Sequence, residues 1–130
     1  MNIRDFHAED AILFGQAPEA AEALSKSDLA WTGVAGGEPV ACGGLLKHWP
    51  HRYMAWMLLP PQSGPHMVAV TRAVKRAMEL VERPARIEMH VRQDFIPGHR
   101  FATLLGFEME SVNPKFFPDM ADADTYVRFM

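Results

Sequence analysis

Apolar and polar positions along the chain change period several times, and each change marks an expected element. Ile3 and Phe6 alternate with polar neighbours over residues 2–6, the spacing of a short edge strand. Residues 9–14 form one helical unit with Ala11, Ile12 and Phe14 as its apolar members. Pro18 opens a second helix through Ala23 and Leu24, with Glu19 and Glu22 near its positive end. Two apolar runs, 29–35 and 39–46, then flank Gly36-Gly37-Glu38. That is a hairpin, because glycine supplies the positive φ a tight turn needs. Gly43-Gly44 within the second run predicts a bulge or a close backbone approach. A polar break at 47–52 precedes residues 53–59, which are apolar throughout and read as a central strand covered on both faces.

Residues 60–65 read as a loop. Beyond it Val70, Ala73, Val74, Ala77, Met78 and Val81 recur at offsets of three and four, one apolar stripe of a helix. Arg72, Lys75, Arg76, Glu79, Glu82 and Arg83 occupy its solvated side, and Pro84 is expected to stop it. Ile87, Met89 and Val91 alternate with Glu88, His90 and Arg92, a period-two strand. Pro97-Gly98 introduce a short helix at 99–105, closed by Gly106 as C-cap. Strands at 107–112 and 125–130 follow, joined by a loop carrying Pro114 and Pro118. The order predicts an α/β (α+β) fold: one domain over residues 1–130, with a mixed, twisted sheet of six or seven strands flanked by about four helices.

Composition narrows the function classes. A chain of 130 residues with 48% hydrophobic and 22% charged residues can bury a core without disulfide or metal staples. A net charge of -3 gives no general affinity for nucleic acid or an anionic membrane. The basic residues of the long helix are interleaved with Glu79 and Glu82, against a nucleic-acid footprint. The N-terminus turns acidic within its first residues, and no run approaches the ~18 apolar residues of a spanning helix, so the expected location is cytoplasmic. His48 and His51 stand three apart without a matching Cys or acidic pair, so no metal site is expected. Cys42 lies between Ala41 and Gly43 and reads as a small packed residue. Trp49, Tyr53, Phe116 and Phe117 form either rim packing or an exposed aromatic patch for a protein partner.

Several stretches resemble the GNAT N-acetyltransferases. Ile3-Arg4 with Asp10 resembles that superfamily's first strand and helix start. The hairpin from Trp31 to Leu46, with Pro39-Val40-Ala41-Cys42-Gly43-Gly44, resembles its second and third strands. His99-Arg100-Phe101-Ala102-Thr103-Leu104-Leu105-Gly106-Phe107 resembles the short helix ending in Gly-Phe. Together these cover nearly the whole chain. A closer likeness is to the small GNAT-like internal virion and assembly proteins of short-tailed bacteriophages, which share the length, the Gly-Gly third strand and the basic central helix.

The resemblance implies acetyl-CoA as cofactor, held by the end of the fourth strand (Met57, Leu58, Leu59) and by loop amides of Ser63, Gly64, His66 and Met67 at a helix N-terminus. The superfamily's loop has the pattern Q/R-x-x-G-x-G/A. Aligned on Gln62, Pro65 and Met67 fall at the two small-residue positions. Aligned on Gly64, Pro61 falls at the Gln/Arg position and His66 at the last. The loop is degenerate in either register. The tyrosine that often serves the superfamily as general acid is replaced by Ala102, and residues 53–59 contain no carboxylate. Candidates for proton transfer elsewhere are Glu88, His90 and Asp94. The expectation is thus an acetyltransferase-like protein with weak or no acetyl transfer. The alternatives are an active N-acetyltransferase on a small amine, or a phage-derived, virion-associated assembly protein that binds another protein.

Overall fold

The period changes in the sequence become seven strands and four α-helices. The computed structural model describes residues 1–130. It contains β1 (Asn2–Asp5), α1 (Ala8–Leu13), α2 (Pro18–Ser25), β2 (Leu29–Ala35), β3 (Glu38–Trp49) and β4 (Arg52–Leu58). A 3₁₀ segment (Pro61–His66), α3 (Met67–Glu79), β5 (Arg86–Arg92), α4 (Ile96–Leu104), β6 (Glu108–Asn113) and β7 (Ala123–Phe129) complete it. The fold is α+β, with one mixed sheet in the order β1-β2-β3-β4-β5-β7-β6. By contact the chain divides into two units, Met1–Lys47 with Ala55–Val81, and His48–Met54 with Glu82–Met130.

In the first unit β1 runs antiparallel to β2, from Asn2↔Val34 to Asp5↔Trp31. The β2–β3 turn is Gly36-Gly37 with φ of +58° and +79°, both in the left-handed region that a two-residue hairpin turn demands. Glu38 therefore begins β3 and does not belong to the turn. The bulge falls between Gly33 and Val34, not at Gly43-Gly44. Those two glycines are a close approach instead. A Cβ on Gly43 would lie 2.5 Å from Met57 Sδ, and one on Gly44 would lie 2.7 Å from the Leu29 carbonyl oxygen and from the Trp56 ring. Phe6 meets Trp56 edge to face at 5.1 Å, and the Trp56 indole N–H donates to Ser27 Oγ at 2.8 Å. Along α3, Val70, Val74, Ala77 and Met78 are buried, as the stripe predicts. Burying each apolar side chain of this size contributes about 1.5–3 kcal/mol. The helix ends at Glu79, where amides of the last turn bond Ala77 and Met78 carbonyls, several residues before Pro84.

In the second unit the N-terminal part of β4 pairs in parallel with β5, from Arg52↔Arg86 to Met54↔Glu88. β5 pairs antiparallel with β7, from Arg86↔Phe129 to Arg92↔Ala123. β6 pairs with β7 on its other side and forms a sheet edge, with a register shift between Met109 and Ser111. The polar break expected at 47–52 is the end of β3 followed by the tight turn Pro50-His51, in which His51 takes φ +73°. Its side chains are polar because this end of β3 is exposed, not because it leaves the sheet. α4 starts at Ile96, earlier than the sequence suggests, with Pro97 in its first turn where a missing N–H costs nothing. Gly106 closes it at φ +86°.

Candidate functional site

The junction from β4 through the 3₁₀ segment into α3 holds every residue expected to bind a cofactor. Met57, Leu58 and Leu59 are half-buried. The segment after them is an ordered 3₁₀ turn where the prolines suggested an open loop. Ser63 organises it: its N–H donates to the Pro60 carbonyl at 2.9 Å and its Oγ to the same oxygen at 2.7 Å. Ser63 is accordingly buried, and its amide is turned inward. The Gly64 carbonyl accepts an amide at the start of α3. Gly64 itself is exposed, with open space around its Cα. His66 and Met67 are half-buried, and no side chain caps α3. Pro61 and Pro65 have no N–H to offer. An anion cradle needs several amides converging on one point. Here Ser63 is engaged elsewhere and two positions lack a donor, so the residues fit a pyrophosphate group poorly.

The first unit also carries a buried charge network that sequence reading does not find. Asp10, on α1, accepts two hydrogen bonds from the Arg4 guanidinium at 2.8 Å each. It also accepts the His7 N–H at 3.1 Å and Thr32 Oγ1 at 2.8 Å. Burial pushes the Asp10 carboxyl up, but these donors outweigh it and hold the group at about 2. Thr32 Oγ1 also lies 3.4 Å from Cys42 Sγ. Burial pushes the Cys42 thiol up to about 11, so it is protonated and unreactive at neutral pH.

The second unit holds the three candidate proton-transfer residues, in very different settings. Glu88 is buried and accepts from Arg52 Nε at 2.9 Å, Arg52 Nη2 at 3.1 Å and Arg86 Nε at 2.7 Å. Burial pushes its carboxyl up, yet the two guanidiniums more than compensate and keep it below the ordinary carboxylate range. Arg86 in turn pairs with Glu110, which together with Glu88 raises the Arg86 pKa. A carboxylate held by two arginines is a poor base. His90, two residues along β5, bonds Thr125 Oγ1 through Nδ1 at 2.9 Å and lies against Phe116 with ring centroids 4.7 Å apart. Burial lowers its pKa, leaving a neutral imidazole at physiological pH. Asp94 is a different case: its side chain is 86% exposed, and its nearest cation is Arg92 at 4.0 Å. Ala102 is fully buried and carries no proton.

Nearby, His99 Nε2 lies 2.9 Å from the Gln93 carbonyl, which can only accept, so Nε2 donates there. The Tyr126 hydroxyl bonds His99 Nδ1 at 2.8 Å. The Asp124 carboxylate stands 3.8 Å from the same nitrogen. Arg52, Arg86, Tyr126 and Asp124 were not singled out from sequence. The one signal for them was Arg86 and Glu88 two apart on a strand, a spacing that places both side chains on one face. No three His, Cys, Asp or Glu side chains converge as a metal site would require.

The chain superposes on Ard1 from Thermoplasma volcanium with a TM-score of 0.80 at 16% identity, over 99% of this chain and 97% of that one. The fold is that of the GNAT acetyltransferases. The ribosomal-protein-S18-alanine N-acetyltransferase from Escherichia coli matches with a TM-score of 0.73 at 11% identity, over 98% and 92% of the two chains. A GNAT-family acetyltransferase from Bacillus anthracis matches with a TM-score of 0.65 at 16% identity, over 98% and 93%. No family model and no curated protein sequence matches. At these identities the likeness defines the GNAT scaffold, and the chemistry must be argued from the site. No helix is long and apolar enough to cross a membrane.

Proposed function

We propose that residues 1–130 form one acetyltransferase-like GNAT domain with a degenerate cofactor loop, which engages acetyl-CoA weakly and transfers acetyl groups slowly or not at all. One observation carries this reading. The turn between β4 and α3 directs the Ser63 amide and hydroxyl to Pro60, and its two prolines supply no donors. A pyrophosphate there would lack the converging N–H groups on which helix-terminus anion sites depend. Calorimetric and thermal-shift titration with acetyl-CoA tests it. The expected dissociation constant is weaker than about 0.1 mM, with a correspondingly small rise in melting temperature at ordinary ligand concentrations. Saturation near micromolar ligand would refute the degenerate-loop reading.

A second reading, an active N-acetyltransferase on an unidentified small amine, is favoured by His90. Its imidazole is half-buried, bonded through Nδ1 to Thr125 and shifted by burial toward the neutral form, the form a general base requires. Release of CoA thiol in the presence of an amine panel, abolished in His90→Ala, would support it. The phage-assembly reading draws no support from the structural neighbours, among which those from Escherichia coli and Bacillus anthracis carry acetyltransferase names.

A further inference from the structure

An open depression of about 420 Å³ lies at the turn joining β3 to β4, lined by Trp49, Pro50, His51, Arg52, Arg86 and Glu88. We propose that it is a binding site for a small monocarboxylate with an apolar body, seated on the Arg52 guanidinium and the Trp49 indole.

The donors point to an anion. The Glu88 carboxylate already accepts three hydrogen bonds from the two arginines. Arg86 is engaged through all three of its nitrogens, by Glu88 and Glu110. Arg52 differs: Nε and Nη2 bond Glu88, while Nη1 donates to nothing in the protein. Its guanidinium is also fixed in place, by Glu88 on one side and by the Trp49 ring 4.4 Å away on the other. The backbone reinforces this, since Arg52 and Arg86 are register partners in the β4–β5 ladder. A donor held in this way binds an incoming oxygen without a large ordering cost.

The donor count sets the valence. Arg52 and Arg86 stand against two carboxylates, Glu88 and Glu110, so the pairs balance and what remains is the one free guanidinium nitrogen of Arg52. Glu110 is 42% exposed, so water and salt screen its charge. A single free donor without surplus charge suits a carboxylate and mismatches a phosphate dianion. The walls specify the rest of the ligand. Trp49 is 56% exposed and Pro50 is exposed beside it, an apolar surface next to the free guanidinium nitrogen. His51 directs Nδ1 to the Pro84 carbonyl at 2.6 Å, which leaves Nε2 as its other polar atom. None of these lining residues is among those expected to hold acetyl-CoA.

Benzoate, benzamide and inorganic phosphate can be titrated into the full chain, following its ¹H–¹⁵N spectrum. The expected result is saturable benzoate binding with a roughly millimolar dissociation constant, reported by the Trp49 indole N–H. Benzamide and phosphate should each bind at least tenfold more weakly. Trp49→Ala removes an exposed side chain and should fold normally, yet weaken benzoate several-fold. Arg52→Lys keeps the charge but loses the fork, and should abolish saturation. Absence of saturation by benzoate would overturn the proposal. So would equal affinity for benzamide, tighter binding of phosphate, or unchanged binding in Trp49→Ala.

Discussion

Asp10→Asn isolates the buried network of the first unit, and its cost can be worked from the structure. The carboxylate accepts four hydrogen bonds, two of them from the Arg4 guanidinium. An amide in its place has one acceptor oxygen, and its NH₂ must face the donors of Arg4 or Thr32. Titration gives the scale. The fall from 3.8 to about 2 corresponds to about 2.5 kcal/mol, at about 1.4 kcal/mol per pH unit. Asp10 itself is buried but Arg4 is partly exposed, so a loss of about 2 kcal/mol for the variant at neutral pH is the reasonable expectation. In a chain this long that amounts to roughly 6–10 °C in melting temperature. The sign of the pH dependence is fixed as well. A depressed carboxyl pKa contributes stability that is complete above the unfolded value near 4 and is lost as pH falls toward about 2. Urea unfolding of both proteins between roughly pH 2 and 7 should therefore show their stabilities converging at the acid end. A gap that stays constant across that range, or one below about 0.5 kcal/mol at neutral pH, would refute the reasoning.

Three further outcomes can be checked directly. Cys42 should resist thiol-specific alkylation in the native protein and react only at the rate of unfolding, because burial holds it protonated and covered. Gly44→Ala should destabilise by about 2–3 kcal/mol and Gly43→Ala by about 1 kcal/mol in denaturant melts. The obstacle at Gly44 is a backbone carbonyl and a fused ring, whereas at Gly43 the nearest one is a flexible methionine end. The double change Pro65→Gly with Met67→Ala restores donor and space in the Gln62 register, and should tighten acetyl-CoA at least tenfold by calorimetry.

Elements with a strong local period were legible in the sequence. The α3 stripe declares itself through four buried residues at helical spacing, and the Gly36-Gly37 turn through the one residue type that accepts two positive φ angles in succession. The end of β3 was not legible, because burial falls away from half-buried Lys47 to exposed His48 and Trp49 and imposes no alternation on them. The 3₁₀ segment was hidden by its prolines, which mark a loop and a helix start equally well. The charge clusters were least accessible of all. Arg52 and Glu88 are separated by 36 residues, and only the parallel register of β4 and β5 makes them neighbours. The candidate cofactor residues were found as a set, since they follow one another along the chain. What each does with its hydrogen bonds, Ser63 above all, depends on a backbone geometry that composition does not encode.

The outer strand β6 has a consequence for how the protein behaves in a crowded solution. Residues 108–112 are exposed along their whole length, including Met109 and Val112 at about half exposure, and one side of the strand has no ladder partner. Such a border can template the addition of another chain. Glu108, Glu110 and the irregularity between Met109 and Ser111 guard it, by repulsion and by a break in the run of evenly spaced backbone groups. Glu110 has a double duty, since the charge that repels a second edge also pairs with Arg86. Neutralising both glutamates would leave β6 adhesive, and the first sign would be concentration-dependent growth of β-rich aggregates from a chain whose fold is still intact.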